Sequence, residues 1–177
     1  MLPPVLIGLI GITHPAHLTF GASGYWRNLH VVLMPLFPLL ALGPWLATRA
    51  IDRTYAWVAL VLGFVYACFY TALDVLAGIG AGSLKHAHET GTGVLFGQAS
   101  DLGHIGSVAL IGANALAAGC VLRIAGARAA PGTALTIGGA YGFMENHVYW
   151  PGGVLSMFAI AAGWSLLLLA LRPARAA

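Results

Sequence analysis

Apolar runs long enough to cross a membrane recur along this chain, separated by short polar stretches. A bilayer core about 30 Å thick needs roughly 20 apolar residues per helical crossing. The runs predict a compact bundle of about six transmembrane helices, over residues 3–20, 30–48, 55–80, 101–122, 133–144 and 152–171. The fifth run is short and rich in glycine, so five crossings or a re-entrant fifth segment are the alternatives.

The composition excludes an ordinary soluble protein. Hydrophobic residues make up 59% of the 177 positions and charged residues only 7%, against about 25% charged residues in a typical soluble domain. No polar block is long enough to form a separate soluble domain. We therefore predict a single all-α integral membrane domain over residues 1–177, with the lipid bilayer as its partner. The first run lacks the features of a cleaved signal peptide, so we expect it to be retained as a helix.

Positive charges fall at alternate connections between the runs. They follow the second, fourth and last runs, at Arg49, Arg53, Arg123, Arg128, Arg172 and Arg175. The positive-inside rule places these connections, and hence both termini, in the cytoplasm. We expect a multi-pass protein of the bacterial inner (plasma) membrane. The basic residues form no stripe or cluster, which argues against nucleic acid as a partner.

In this topology all seven histidines and four of the five carboxylates lie on the extracytosolic side. Imidazole is the commonest metal ligand in proteins, and together with carboxylates it suits Zn, Cu or Fe. The predicted metal ligands are His14, His17, His104, Asp74 and His147. The first two are three residues apart and would share one helix face, and His104 lies at a similar depth on the fourth helix.

Asp74 lies about two turns inside its helix, and an ionisable side chain at that depth needs a polar partner. We expect that partner to be His14, His17 or His104. A histidine at the membrane interface needs no metal to explain it. That simpler interpretation applies to His30, His86, His88 and His147.

These residues suggest functions of different classes. The preferred hypothesis is a metal-dependent enzyme, a hydrolase or an oxidoreductase, with Glu145 or Glu89 as general base and a hydrophobic or lipid-like substrate. A metal-ion binding or transport protein is the first alternative, with Asp74 as an inner station and Asn114 and Thr71 further in. The others are a b-type haem protein, with His14 or His17 facing His104, and a structural accessory subunit. We prefer the enzyme because the cytoplasmic half is nearly all apolar.

Overall fold

The computed structural model describes residues 1–172, and that part of the chain is all helical, with no β-strand. The α-helices are α1 Leu2–Gly11, α2 Ser23–Leu33, α3 Leu42–Arg49, α4 Arg53–Leu73, α5 Ala81–His86, α6 Thr92–Ala125, α7 Ala130–Asn146 and α8 Gly152–Ala170. A 3-10 segment, Phe37–Ala41, carries α2 into α3, and a π-helical segment, Asp74–Gly80, carries α4 into α5. The predicted position of Arg175 lies outside the described residues.

Four helical segments are long and apolar enough to cross a membrane: Ser23–Arg49, Arg53–His86, Thr92–Asn146 and Gly152–Ala170. An all-helical protein with four such segments supports the predicted class of membrane protein. Exposed side chains along them are largely apolar, for example Val61, Phe64 and Val108. Lipid contact accounts for such a surface.

The third of these segments folds back on itself near Gly126, whose φ of +60° is readily adopted only by glycine. Asn114 of α6 and Thr136 of α7 lie at the same level, because both contact the middle of α8. The Trp164 indole donates a hydrogen bond to Asn114 Oδ1 over 2.8 Å, and a Cβ on the neighbouring Gly163 would overlap the Thr136 hydroxyl. α6 and α7 therefore form an antiparallel hairpin.

The first predicted helix, residues 3–20, is wrong in length, because α1 ends at Gly11. Pro15 explains the break: it lacks a backbone donor, and it disfavours helical backbone at His14. The second helix begins at Ser23 rather than at residue 30. His30 consequently lies about two turns from the start of α2, in its last turn, rather than at the start of a helix.

The two ends of the bundle differ in polarity. At one end Arg123 donates a hydrogen bond to the Tyr55 hydroxyl, and Arg128 donates one to the backbone carbonyl of Arg172. At the other end lie the imidazole groups of the loops and of α2. A buried core of Leu33, Phe37, Tyr66, Tyr70, Phe143 and Ile160 separates the two ends.

Candidate metal centre

Three histidines from distant parts of the chain meet at the histidine-rich end of the bundle. His14 comes from the loop after α1, His30 from α2 and His147 from the turn after α7. Each offers one ring nitrogen, and these nitrogens all lie within 4.8 Å of one another. His14 and His30 are buried and His147 is half-buried. We call this group the histidine triad.

Backbone carbonyls fix which nitrogens of His14 and His30 carry protons. His14 Nδ1 lies 2.8 Å from the Pro15 carbonyl oxygen, and His30 Nδ1 lies 2.7 Å from the Trp26 carbonyl oxygen. A carbonyl oxygen only accepts hydrogen bonds, so both Nδ1 atoms must be the donors. In a neutral imidazole the Nε2 atom then carries a lone pair. Both rings are thus held in the tautomer that binds a metal through Nε2.

The two Nε2 atoms face each other at a distance of 3.4 Å. Two metal–nitrogen bonds of about 2.0–2.1 Å at a tetrahedral angle place their nitrogens roughly 3.3–3.4 Å apart. The spacing therefore matches two neighbouring ligands of a four-coordinate ion. The ligand nitrogen of His147 lies within 4.8 Å of the other two and has to approach this pair to complete a set of three.

His147 is held by a side chain rather than by a carbonyl. Its Nδ1 lies 2.6 Å from the hydroxyl oxygen of Tyr70 on α4. A tyrosine hydroxyl can accept as well as donate a hydrogen bond. With the proton on Nδ1 and donated to that hydroxyl, Nε2 carries the lone pair that can bind an ion. The backbone of His147 has a φ of +50° and a ψ of −130°, a conformation that non-glycine residues seldom adopt. Such strain is found most often at functional sites.

The surroundings of His14 and His147 favour the neutral imidazole, which is the form that binds metal. Burial lowers the pKa of the His147 imidazole well below its ordinary value, and the nearby His30 and His14 lower that pKa further. Burial also lowers the pKa of the His14 imidazole, although its hydrogen bond to the Pro15 carbonyl opposes the shift.

Close packing against the π-helical segment positions His30. A Cβ on Gly78 would overlap the His30 ring, so only glycine lets the imidazole lie directly on that backbone. The Trp26 indole donates a hydrogen bond to the Ala77 carbonyl over 3.0 Å. The Trp26 ring in turn packs edge-on against His14, with ring centroids 4.7 Å apart. One helix turn thereby supports two of the three imidazoles.

A cavity of about 260 Å³ lies beside the triad and is lined by His30, His147 and Tyr70. The rest of its wall includes apolar and polar residues, among them Trp26, Leu73, Ala77, Phe96, Met144, Ser100, Ser107, His104, Glu145 and Asn146. Two of the three triad imidazoles therefore border a space in which a further ligand of a bound ion could lie.

The structure brings some of the predicted site residues together and leaves others apart. His14 and His147 belong to the triad. His104 and Glu145 are exposed and line the cavity without joining the triad. The remaining three, His17, Asp74 and Glu89, lie outside the triad and do not line the cavity.

Two of these placements have a direct physical reason. His14 and His17 could share a helix face only if one helix continued through Pro15. Because the helix stops before Pro15, His17 is exposed in the loop. Asp74 is fully buried as expected, yet neither carboxylate oxygen has a hydrogen-bond partner within residues 1–172. The predicted polar partner for Asp74 is therefore wrong for the described chain.

His30 is the triad member that the sequence analysis left out of the predicted metal ligands and explained only by the membrane interface. A signal was present, because Trp26, Leu29, His30 and Leu33 follow the i, i+3, i+4, i+7 pattern of one helix face. All four are buried on α2. A histidine on the core-facing side of an amphipathic helix is a stronger ligand candidate than one on its exposed side.

No family model, curated protein or solved structure matches this chain. Its function is inferred from the histidine triad and the cavity beside it.

Proposed function

We propose that this protein is a membrane-embedded metal-dependent enzyme whose ion is held by the Nε2 atoms of His14, His30 and His147. The observation that carries the proposal is the 3.4 Å separation of the His14 and His30 Nε2 atoms, with both Nδ1 atoms on backbone carbonyls. Three protein ligands with one open position are typical of catalytic rather than structural zinc sites. Iron and copper are the other metals that imidazole ligands suit.

The cavity supports a role in catalysis. A bound ion would activate water or polarise a substrate oxygen at the open position. Glu145 lines the same cavity and is the better placed of the two predicted general bases, because Glu89 is exposed in the turn before α6. We propose that Glu145 accepts the proton from the attacking water.

The size of the cavity bears on the substrate. Pockets that enclose a whole drug-sized ligand measure about 300–1,000 Å³, and this cavity measures about 260 Å³. We propose a hydrophobic or lipid-like substrate that places only its reactive polar group beside Glu145 and leaves its apolar part in the bilayer.

A haem held by His14 and His30 would fit the triad poorly, although the predicted pairing of His14 or His17 with His104 is a different arrangement. Two axial imidazoles lie on opposite sides of the iron, so their nitrogens are separated by about twice a metal–nitrogen bond of roughly 2.0 Å. The Nε2 atoms of His14 and His30 are closer than that, and the ring centroids of Trp26 and Tyr149 each lie 4.7 Å from the His14 ring centroid. No slot for a porphyrin remains between these two rings.

The transport alternative requires polar groups beyond the triad that are free to bind an ion. Asn114, the deepest candidate station, donates to the Leu110 carbonyl and accepts from the Trp164 indole. Both ends of its amide are therefore engaged in packing the helices. Because the Asn114 amide is already hydrogen-bonded at both ends, it is a poor ion-binding position, which favours the enzyme over a transporter.

We further propose that the arginine-rich end faces the cytoplasm of a bacterial inner membrane, in line with the positive-inside rule. α7 has 17 residues and runs back along α6, which supports a full crossing rather than a re-entrant segment. α1, with ten residues, is a shorter sixth helix packed on α8.

Labelling a cysteine placed at Ala87, with Cys68 and Cys120 replaced by serine, tests the orientation of the arginine-rich end toward the cytoplasm. Reaction only from the cytoplasmic side contradicts it.

Elemental analysis and a visible absorption spectrum of the purified protein test the metal proposal. We expect about one Zn, Fe or Cu per chain without a Soret band. A Soret band contradicts the triad as a direct metal site. Adding azide to the Co²⁺-substituted protein then tests for the open position, since an exchangeable ligand shifts the Co²⁺ bands. An unchanged spectrum indicates a closed binding site and contradicts the enzyme.

A further inference from the structure

Asp74 is buried without any interaction that would stabilise its charge. It is 0% exposed, and neither of its carboxylate oxygens accepts a hydrogen bond from residues 1–172. The other carboxylates of the chain, Asp52, Glu89, Asp101 and Glu145, are all exposed. Burying a carboxylate without a partner is costly, because the lost hydration is not replaced. Within residues 1–172, Asp74 is thus the one acidic side chain that is buried and has no protein contact to explain its burial.

The position of Asp74 relates it directly to the histidine triad. Tyr70, Asp74 and Gly78 follow one another at four-residue intervals, and all three are buried on the same side of the α4 and π-helical segments. Tyr70 bonds to His147, and Gly78 lies against the His30 ring. Asp74 therefore lies on the helix face between the two points at which that helix touches the triad.

Charge balance gives such a carboxylate a role. Three neutral imidazoles bind a divalent cation without cancelling any of its charge, and a net charge of two is poorly tolerated in a low-dielectric interior. An anion on the adjacent helix face stabilises the ion in proportion to the ion's charge. The negative charge of Asp74 would balance part of the ion's positive charge, and the ion would stabilise the buried carboxylate.

We propose that Asp74 is the counter-charge of the metal centre: a positioning residue that acts through its charge and makes the site select divalent over monovalent cations. This inference rests on the proposed function, because it requires an ion in the triad. It makes Zn²⁺, Cu²⁺ or Fe²⁺ the class of ion bound, in preference to Cu⁺.

The test compares Asp74→Asn with the wild type in titrations of the purified protein with Zn²⁺ and, separately, with Cu⁺. The amide has the size of the carboxylate without its charge, and no protein hydrogen bond is lost. We expect the Zn²⁺ affinity to fall by about 10–100-fold, the range seen for residues that support metal ligands. The Cu⁺ affinity should fall clearly less, because the monovalent ion carries half the charge. Asp101→Asn, an exposed carboxylate on α6, is the matched control and should change neither affinity.

Two further measurements separate a charge effect from other roles. The Co²⁺ spectrum of Asp74→Asn should keep the wild-type band positions, and a changed spectrum would make Asp74 a direct ligand instead. Asp74→Ser, which is neutral and smaller, should show the same loss of Zn²⁺ affinity, so the test survives if one variant folds poorly. An equal loss for Zn²⁺ and Cu⁺ overturns the proposal in favour of a structural role. Unchanged Zn²⁺ binding by Asp74→Asn overturns this inference alone, whereas a wild type that binds no metal overturns the proposed function with it.

Discussion

The Nε2 atoms of His14 and His30 face each other at 3.4 Å, and the backbone holds both rings in the tautomer that turns a lone pair toward the gap. Two lone pairs at this distance repel each other unless a cation or a proton lies between them. The Pro15 and Trp26 carbonyls thus orient two ligands before any ion arrives. Ligands held in place by second contacts of this kind are characteristic of metal centres.

Substituting Gly78 by alanine should damage the metal centre through His30. A Cβ at this position overlaps the His30 ring, so the imidazole must move away from the backbone. Metal ligands must be held within about 0.5 Å of their binding geometry. We expect Gly78→Ala to lower Zn²⁺ affinity by about 10-fold or more, measured by competition with a chromophoric chelator.

Gly119→Ala on α6 is the control for that variant. No atom lies within 4 Å of a Cβ placed at Gly119, so the change adds helix propensity of about 0.5–1 kcal/mol without a clash. Zn²⁺ affinity should be unchanged. Equal affinities for the two alanine variants would show that His30 does not depend on close contact with Gly78.

Removing the Tyr70 hydroxyl should weaken metal binding, because it frees the His147 ring. The hydroxyl is the contact at His147 Nδ1, and loss of such a support typically lowers metal affinity by about 10–100-fold. Tyr66→Phe is the matched control on the same helix face, since the Tyr66 hydroxyl is buried without a partner within residues 1–172. Tyr66→Phe should leave the affinity unchanged. If Tyr70→Phe and Tyr66→Phe bind Zn²⁺ equally well, His147 is not held as described.

Backbone strain at His147 predicts an unusual order of stability. Its φ of +50° costs a non-glycine residue about 1–3 kcal/mol, which glycine avoids. His147→Gly should therefore be more stable than His147→Ala by about 1 kcal/mol, while both lose the imidazole ligand. At the exposed His86, the last residue of α5, the order should reverse, because helical backbone favours alanine. Thermal unfolding in detergent measures the stability of both pairs of variants. A His147→Ala variant that is more stable than His147→Gly would contradict the strain.

The sequence predicted the class of fold better than the membership of the site. Apolar runs and alternating arginines depend on local composition, and they led to an all-helical membrane protein with its histidines at one end. The triad depends on contacts between residues far apart in the chain, such as Tyr70 with His147. His30 was misassigned because its helix was predicted to begin at residue 30 rather than at Ser23. His17 was included because the first helix was predicted to continue through Pro15 to residue 20, whereas α1 ends at Gly11.

The most direct test of the metal centre is the Zn²⁺ stoichiometry and affinity of the wild type beside single alanine variants of five histidines. We expect one tightly bound Zn²⁺ per wild-type chain and a loss of affinity of about 100-fold or more in His14→Ala, His30→Ala and His147→Ala, because each removes one of three ligands. His17→Ala and His104→Ala should retain wild-type binding, since neither residue belongs to the triad. A wild type that binds no Zn²⁺, Cu²⁺ or Fe²⁺, or a His30→Ala variant that binds as tightly as the wild type, would contradict the account.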